Sequence, residues 1–371
     1  MKSFLGLLGF IATILLAWFL IPKAASVILM LGLLSFLVIA HELGHFAVAR
    51  WVGVKVERFG FGLPIGPTLY EKKIGDLTVC IHLALLGGYV SFPDDNEDSD
   101  VPMDSPVRFE NKPAWARIAV VVAGVTVNAI LAYLLMFFVM ATHGFPSGLA
   151  IKQFLSPSSA KTAGLKLDDI ILGINDQQVL PYEWNKFGET VKEAKDKPFD
   201  VIVYRDKKVL HFSMKALPSA LIGVELEPKM EFIPILKPQD VVFKSNDYLL
   251  TTVGMNFVAL GKLATGQISP KMLSGPVGIV KQGSEAIAKY GFAEGIFIAA
   301  ILSMILAVMN LLPIPMLDGG HLLFIVLELL RGGKPVPKKI QETLVKTFFY
   351  ILIGLMVLLV GHDIYTHVLG Y

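Results

Sequence analysis

Long apolar runs dominate the chain. Phe4 to Ile21 is closed by Pro22 and Lys23; Ala24 to Ala40 follows, and its helical pattern continues to Arg50. Ile118 to Ala141 is a third run. Gly295 to Leu330 is too long for one straight crossing and is interrupted at Pro313 and Pro315. Phe348 to Gly361 is shorter and is extended by its flanks. A helix needs about 20 mostly uncharged residues to cross a bilayer. The pattern therefore predicts a polytopic α-helical membrane protein with a core of about four helices. Residues 24–141 form its first half and residues 292–371 its second. Residues 1–23 read as an extra amino-terminal span, with a signal peptide as the alternative, for which Ala24-Ala25-Ser26 is a weak cleavage site.

Between the halves the pattern changes. Residues 142–238 alternate turn signals with short β-type runs, among them Asp168 to Leu172 and Phe199 to Tyr204, and Tyr182 to Ala194 suits a helix. A small α+β module is expected there. Residues 239–291 read as amphipathic linker helices; Val242, Leu249, Leu250, Val253, Phe257, Leu260 and Leu263 fall at helical spacing. Phe59 to Pro67, Thr78 to Ile81 and Gly87 to Val90 read as a membrane-associated β-hairpin region. The acidic stretch Pro93 to Pro106 reads as an exposed loop.

Charge sets the expected orientation. Arg50 to Arg117 and Arg331 to Lys346 are rich in Lys and Arg, so both should be cytoplasmic. The tail after Gly361 and the module then lie outside. Trp18, Trp51, Tyr365 and Tyr371 suit interfacial anchors. Charged residues are only 17% of the chain, against roughly 25% in ordinary soluble domains, and the net charge is +2. That balance gives no reason to expect nucleic acid as a partner. Cys80 is the single cysteine, which excludes an intrachain disulfide and any cysteine-rich zinc module; it reads as a small apolar filler.

The chemistry starts at His41-Glu42-Leu43-Gly44-His45. Histidines at i and i+4 share one helix face and can hold one metal ion. Glu42 lies about 100° round the helix, placed to act on a metal-bound water without ligating. The motif follows an apolar run, and ionisable groups at membrane depth are costly enough to be functional candidates. A catalytic zinc needs a third protein ligand. Asp318, just past Pro313 and Pro315, is favoured; His321 is the rival. Gly319 and Gly320 are expected to admit a neighbouring helix. On the charge reading, both ligand sets fall in the cytoplasmic half of the bilayer. His82, His143, His211, His362 and His367 have no spaced partner and read as non-ligands.

These residues carry a resemblance. The pentad with Phe46, Phe59-Gly60-Phe61-Gly62, Leu86 to Val90, Ala123-Gly124 with Asn128, Ser274 to Ile279, and Asn310 to His321 together resemble the site-2 protease family of intramembrane zinc metalloproteases, of the bacterial regulator-of-sigma-E type. The resemblance implies Zn2+ held by His41, His45 and Asp318, with Glu42 as general base. It implies that Asn310 and Asn128 help hold or polarise the substrate. It implies one PDZ-like domain outside the membrane, suggested by Ala163 to Ile170 and Ile174-Asn175, where well-known members carry two. Single-span membrane proteins already shortened by another protease, such as anti-sigma factors or signal-peptide remnants, are the implied substrates. A monomer in a bacterial inner membrane is expected. Gly124-Val125 departs from the family's usual Gly-Pro. Gly88, Tyr89 and Val90 could offer a strand edge to an unwound substrate. The motif Ser274 to Ile279 suggests only a turn packed near the third core span. The alternatives are a membrane-anchored metallopeptidase acting on soluble peptides, a silent PDZ scaffold and a metal transporter.

Overall fold

A helix of 28 residues, α1 (Ala24–Trp51), opens the core. At about 1.5 Å per residue it is about 42 Å long, enough to cross a bilayer and emerge. The structure is a computed structural model and describes residues 11–18, 21, 24–96, 98–194, 197–219, 221–267 and 275–368. Half of the first apolar run, Ser274 and Tyr371 lie outside the described residues; residues 11–18 are helical. The chain divides into two compact units, residues 1–135 with 251–371, and residues 136–250.

In the first unit α1 leads into β1 (Arg58–Ile74) and β2 (Leu77–Ser91), joined at Gly75-Asp76 with Gly75 at φ +65°. Positive φ suits the tight reversal between two long strands. Both strands fold back on themselves. Arg58 to Phe61 pairs on one side with Thr78 to Ile81 and on the other with Gly88 to Ser91. The last of these rows is thus an outer row of the sheet. Ala49, Val54, Val56 and Val120 are buried with Phe46, Val90, Phe92 and Phe109 packed on them, which seats the sheet on the end of α1.

The stretch after β2 is largely the exposed loop its acidic composition suggests, with Asp95, Asp98, Asp100 and Asp104 exposed, but it is not free of order. Arg108 is buried and donates to the carbonyls of Pro93, Val101 and Pro102, while the Phe109 N–H donates to Asp94. Pro93 and Val101 are buried around it. A guanidinium has donors enough to satisfy several carbonyls at once, so one arginine gathers the segment into an ordered scaffold. It is followed by α2 (Ala114–Thr142).

The second unit is a six-stranded antiparallel sheet. Its strands are β3 (Gly148–Phe154), β4 (Ile170–Ile174), β5 (Gln177–Gln178), β6 (Phe199–Arg205), β7 (Lys208–Met214) and β8 (Val224–Lys229). Their order is β7-β6-β4-β3-β8, with β5 beside β4. Between strands lie the single turn α3 (Ser159–Thr162) and α4 (Trp184–Ala194), whose Phe187 and Val191 face the buried positions of β4 and β6. Thus the expected strands and helix are present, with β4 starting at Ile170 rather than Asp168. The displaced residues make the turn: Asp168 sits at φ 67°, and Asp169 accepts from the Lys166 N–H and from Arg205 at 2.5 Å.

α5 (Asp240–Ala264) carries the amphipathic pattern. Then α6 (Pro276–Tyr290), α7 (Phe292–Leu311), α8 (Asp318–Leu330) and α9 (Lys338–Asp363) complete the first unit. Among the described residues α1, α2, α7 and α9 are long and apolar enough to span a membrane. The puzzling motif before α6 is a helix start rather than a free turn. Asp363, buried at the end of α9, accepts from the N–H groups of Gly275 and Gly278 at 3.1 and 2.8 Å. Orphan N–H groups at a helix start favour a carboxylate, here supplied from another helix. Gly319 and Gly320 also differ from expectation. The atoms that crowd them are the carbonyl oxygens of Leu311, Leu312 and Ile314, so they let the proline-broken link fold tightly under α8.

The Asp169–Arg205 pair is the module's most buried charge contact, with Asp169 1% exposed. Asp169→Ala should destabilise the module by about 3 kcal/mol, the low end for a broken buried pair because Arg205 can turn to water. Amide exchange across β4 and β6 measures it.

Candidate metal centre

Three helices build the site, all within the first unit. α1 supplies His41, Glu42 and His45; α8 supplies Asp318 at its first turn; α2 lies behind the histidines. His41 Nε2 and His45 Nε2 are 3.1 Å apart, and Asp318 Oδ2 lies 3.2 and 3.3 Å from them. Four ligands at zinc distances of 2.0–2.1 Å form a tetrahedron with edges of about 3.3–3.4 Å. The three atoms therefore already mark out one face of such a tetrahedron. Among the described residues this is the group whose donor atoms can share an ion.

The donors' own chemistry fits a cation. His45 Nδ1 donates to the Val120 carbonyl at 2.8 Å, so the neutral ring keeps a lone pair on Nε2. Asp318 Oδ2 is buried with no hydrogen-bond donor. Electron-rich atoms converge at a buried point, an arrangement a divalent cation relieves. Backbone carbonyls behind ligating histidines are the usual means of fixing the tautomer.

α2 is shaped to permit this. A Cβ on Gly124 would fall 2.4 Å from His45 Nε2 and within 2.8 Å of the His41 ring. A Cβ on Gly44 would fall 2.8 Å from the Ala123 carbonyl oxygen. Small residues at a helix crossing let the backbones approach, and here the approach brings Val120 and Gly124 against the imidazoles. Arg117 pairs in a two-point bond with Glu328, Nη1 to Oε2 at 2.9 Å and Nη2 to Oε1 at 2.5 Å. That bond ties α8 to α2 and so holds the element that presents Asp318.

The other expected site residues are distributed around this face. The Asn310 amide nitrogen is 3.4 Å from His41 Nε2. Asn128 is fully buried, its amide 3.3 Å from His41 Nδ1. The outer row Gly88 to Val90 runs beside Glu42; a Cβ on Gly88 would come within 3.0 Å of Glu42 Cγ, and Val90 lines the same hollow as Glu42. Tyr89 turns its ring to His82, with Oη 3.1 Å from Nε2. At position 89 the strand therefore offers main chain rather than side chain. His82 is buried and also contacts Thr68, and Cys80 is buried as expected. His321, the rival ligand, is exposed and lies outside the donor group.

Glu42 lies between two hollows. One, of about 670 Å³, runs past His45, Asp318 and His321 to Pro335–Lys338. The other, of about 210 Å³, is lined by Val38, Asn128, Leu306, Asn310 and Met316. Groups on both sides of the carboxylate can reach it, as proton transfer between a water and a leaving group requires.

Sequence reasoning missed Val120, Arg117 and Asp363. Val120 acts through its carbonyl, which every residue has. The partners of Arg117 and Asp363 lie far away in sequence, so no local spacing marks them.

A helical core of membrane-spanning length with a His–His–Asp donor set, His41 buried and His45 and Asp318 half-buried, defines a membrane metalloprotein. The sequence pattern of Peptidase family M50 matches residues 29–355, and the chain belongs to that family. It is 35% identical over 352 residues to a Nostoc protein named for zinc metalloprotease activity, covering 90% of this chain and 94% of that one. It is 28% identical over 360 residues to the chloroplast membrane metalloprotease ARASP of Arabidopsis thaliana, covering 91% and 78%. It is 28% identical over 421 residues to the regulator of sigma-W protease RasP of Bacillus subtilis, covering 91% and 98%. The chain is a membrane protein of a zinc metalloprotease family, and zinc is its cofactor.

Gly124→Ala should abolish stoichiometric zinc binding while helical content stays unchanged, because the added methyl occupies the space of His45 Nε2. Metal analysis of the purified protein beside far-ultraviolet circular dichroism checks it.

Proposed function

We propose that the protein is an intramembrane zinc endopeptidase that hydrolyses peptide bonds within or near the transmembrane segments of single-span proteins. The observation that carries this is the donor triangle of His41, His45 and Asp318 on helices of a membrane-spanning core, with Glu42 beside it. His41, His45 and Asp318 hold the zinc. Bound zinc supplies Lewis acidity and a water that loses its proton near neutral pH. Glu42 is placed to hold the proton of the attacking water and pass it to the departing amine. Asn310, whose amide points at the same spot, donates to the oxygen of the scissile carbonyl as charge develops there.

An α-helical substrate hides its carbonyls in its own hydrogen bonds. It must be unwound, and the outer row Gly88, Tyr89 and Val90 next to Glu42 is placed to pair with the unwound stretch. Addition of a strand supplies main-chain bonds without demanding a sequence. The 670 Å³ hollow beside Glu42 gives water and product a route.

The 142–238 segment is read as one PDZ-like domain outside the membrane of a bacterial inner-membrane protein, with the active site in the cytoplasmic half of the bilayer. The lysine and arginine bias of the short loops supports that orientation. Substrates are fragments already shortened by another protease; the name of the Bacillus relative, a regulator of sigma-W protease, supports anti-sigma factors as one class. The enzyme acts as a monomer.

Two experiments test this. Glu42→Gln keeps zinc bound and lowers cleavage of a single-span test protein in proteoliposomes by at least about 1000-fold; retained cleavage rejects the role of Glu42. Val90→Pro removes an N–H from the outer row. It should cut turnover about tenfold or more at normal zinc content, and unchanged turnover rejects strand pairing.

A further inference from the structure

Asn128 has no place in the proton transfer above, yet it is fully buried against a metal-binding ring. It sits on α2 one turn beyond Gly124 and two turns beyond Val120, so the three positions form one i, i+4, i+8 stripe. The Val120 carbonyl holds Nδ1 of His45. At the other end of the stripe the Asn128 carboxamide is 3.3 Å from Nδ1 of His41. Its own backbone carbonyl is fixed by Ser303 of α7, which is completely buried and donates to it at 2.8 Å.

The proton count decides what the amide does. His41 gives the lone pair of Nε2 to the metal, so its Nδ1 carries the hydrogen and needs an acceptor. The two ends of a carboxamide have nearly the same shape. Asn128 Oδ1 has no hydrogen-bond donor of its own, so nothing holds it away from the ring. With Oδ1 toward Nδ1–H the pair is complementary, whereas the amide nitrogen there would set donor against donor.

We infer that Asn128 is a positioning residue of the zinc centre: its amide oxygen accepts from His41 Nδ1–H and fixes the ring's tautomer and plane. This replaces the substrate contact that the family resemblance suggests for it. It rests on the zinc-protease reading of the site. α2 thereby orients both imidazoles, by a main-chain oxygen at Val120 and a side-chain oxygen at Asn128.

The test uses metal alone, with the full-length protein in detergent. Zn2+ affinity is measured by competition with a chromogenic chelator for wild type, Asn128→Asp and Asn128→Leu, and the Co2+-loaded forms are compared by visible absorption. Loss of a bond behind a ligating histidine costs about 10–100-fold in metal affinity. Asn128→Leu should lose that much and shift the Co2+ band. Asn128→Asp, which keeps an acceptor at the same reach, should stay within about threefold of wild type. Equal affinities in all three proteins would overturn the assignment and restore a substrate role. Equal losses in both variants would also overturn it, by making Asn128 a packing residue. If the leucine variant does not fold, Asn128→Ala takes its place: a loss of about 10–100-fold beside near-wild-type Asn128→Asp supports the bond, and affinities equal to wild type in both variants refute it. Wild-type protein that takes up no Zn2+ would overturn the metal centre itself, an outcome distinct from zinc-binding wild type with unaffected variants.

Discussion

Three lone-pair-bearing atoms, two imidazole nitrogens and a carboxylate oxygen, lie within 3.3 Å of one another inside an apolar helical core. Without a cation this is an unfavourable arrangement, since each atom is desolvated and none completes another's hydrogen bonding. The surrounding structure reads as what is needed to hold it together. α1 brings two donors by helical periodicity. α8 brings the third at its first turn, where N–H groups favour a carboxylate. The Arg117–Glu328 bond keeps the two elements in register through α2.

The same constraint explains where side chains are missing. Gly124 and Gly44 thin the contact between α1 and α2 until a backbone carbonyl can reach an imidazole. Gly319 and Gly320 thin the link before α8 until three carbonyls fit against it. Proline at 313 and 315 removes donors that this turn could not satisfy. Glycine, usually costly in helices, here provides the space that metal and loop require.

The sequence made the donor set legible because its rules are local. Two histidines four residues apart lie on one helix face whatever surrounds them, and an acid beside two prolines in an apolar run has few uses. The module's strands were legible through β-branched runs, to within two residues at Asp168. What the sequence hid shares a cause. Pro93 to Pro106 is exposed, as its acidic residues suggest, but its order is set by Arg108, which fills the segment with donors from outside it. Gly275 and Gly278 looked like a turn because their carboxylate partner, Asp363, lies 88 and 85 residues away. Composition reports a residue's solvation preference; it does not report which distant group arrives to satisfy it.

Membrane burial makes those distant partners count for more. In water a stray donor or acceptor can be satisfied by solvent, and a lost pairing costs little. In a core whose helices present apolar faces outward, a buried polar group depends on another part of the chain for its partner. Three contacts between helices follow that rule. Asp363 answers the start of α6, Ser303 answers the Asn128 carbonyl, and Glu328 answers Arg117. These bonds join helices far apart in sequence, and two of the three end on α2, the helix that backs the metal ligands. A site that must admit water to hydrolyse a peptide is thus enclosed by groups already committed to one another. On the proposed function, that leaves Glu42, Asn310 and the edge of Gly88 to Val90 as the polar groups beside the ligands placed to meet a substrate.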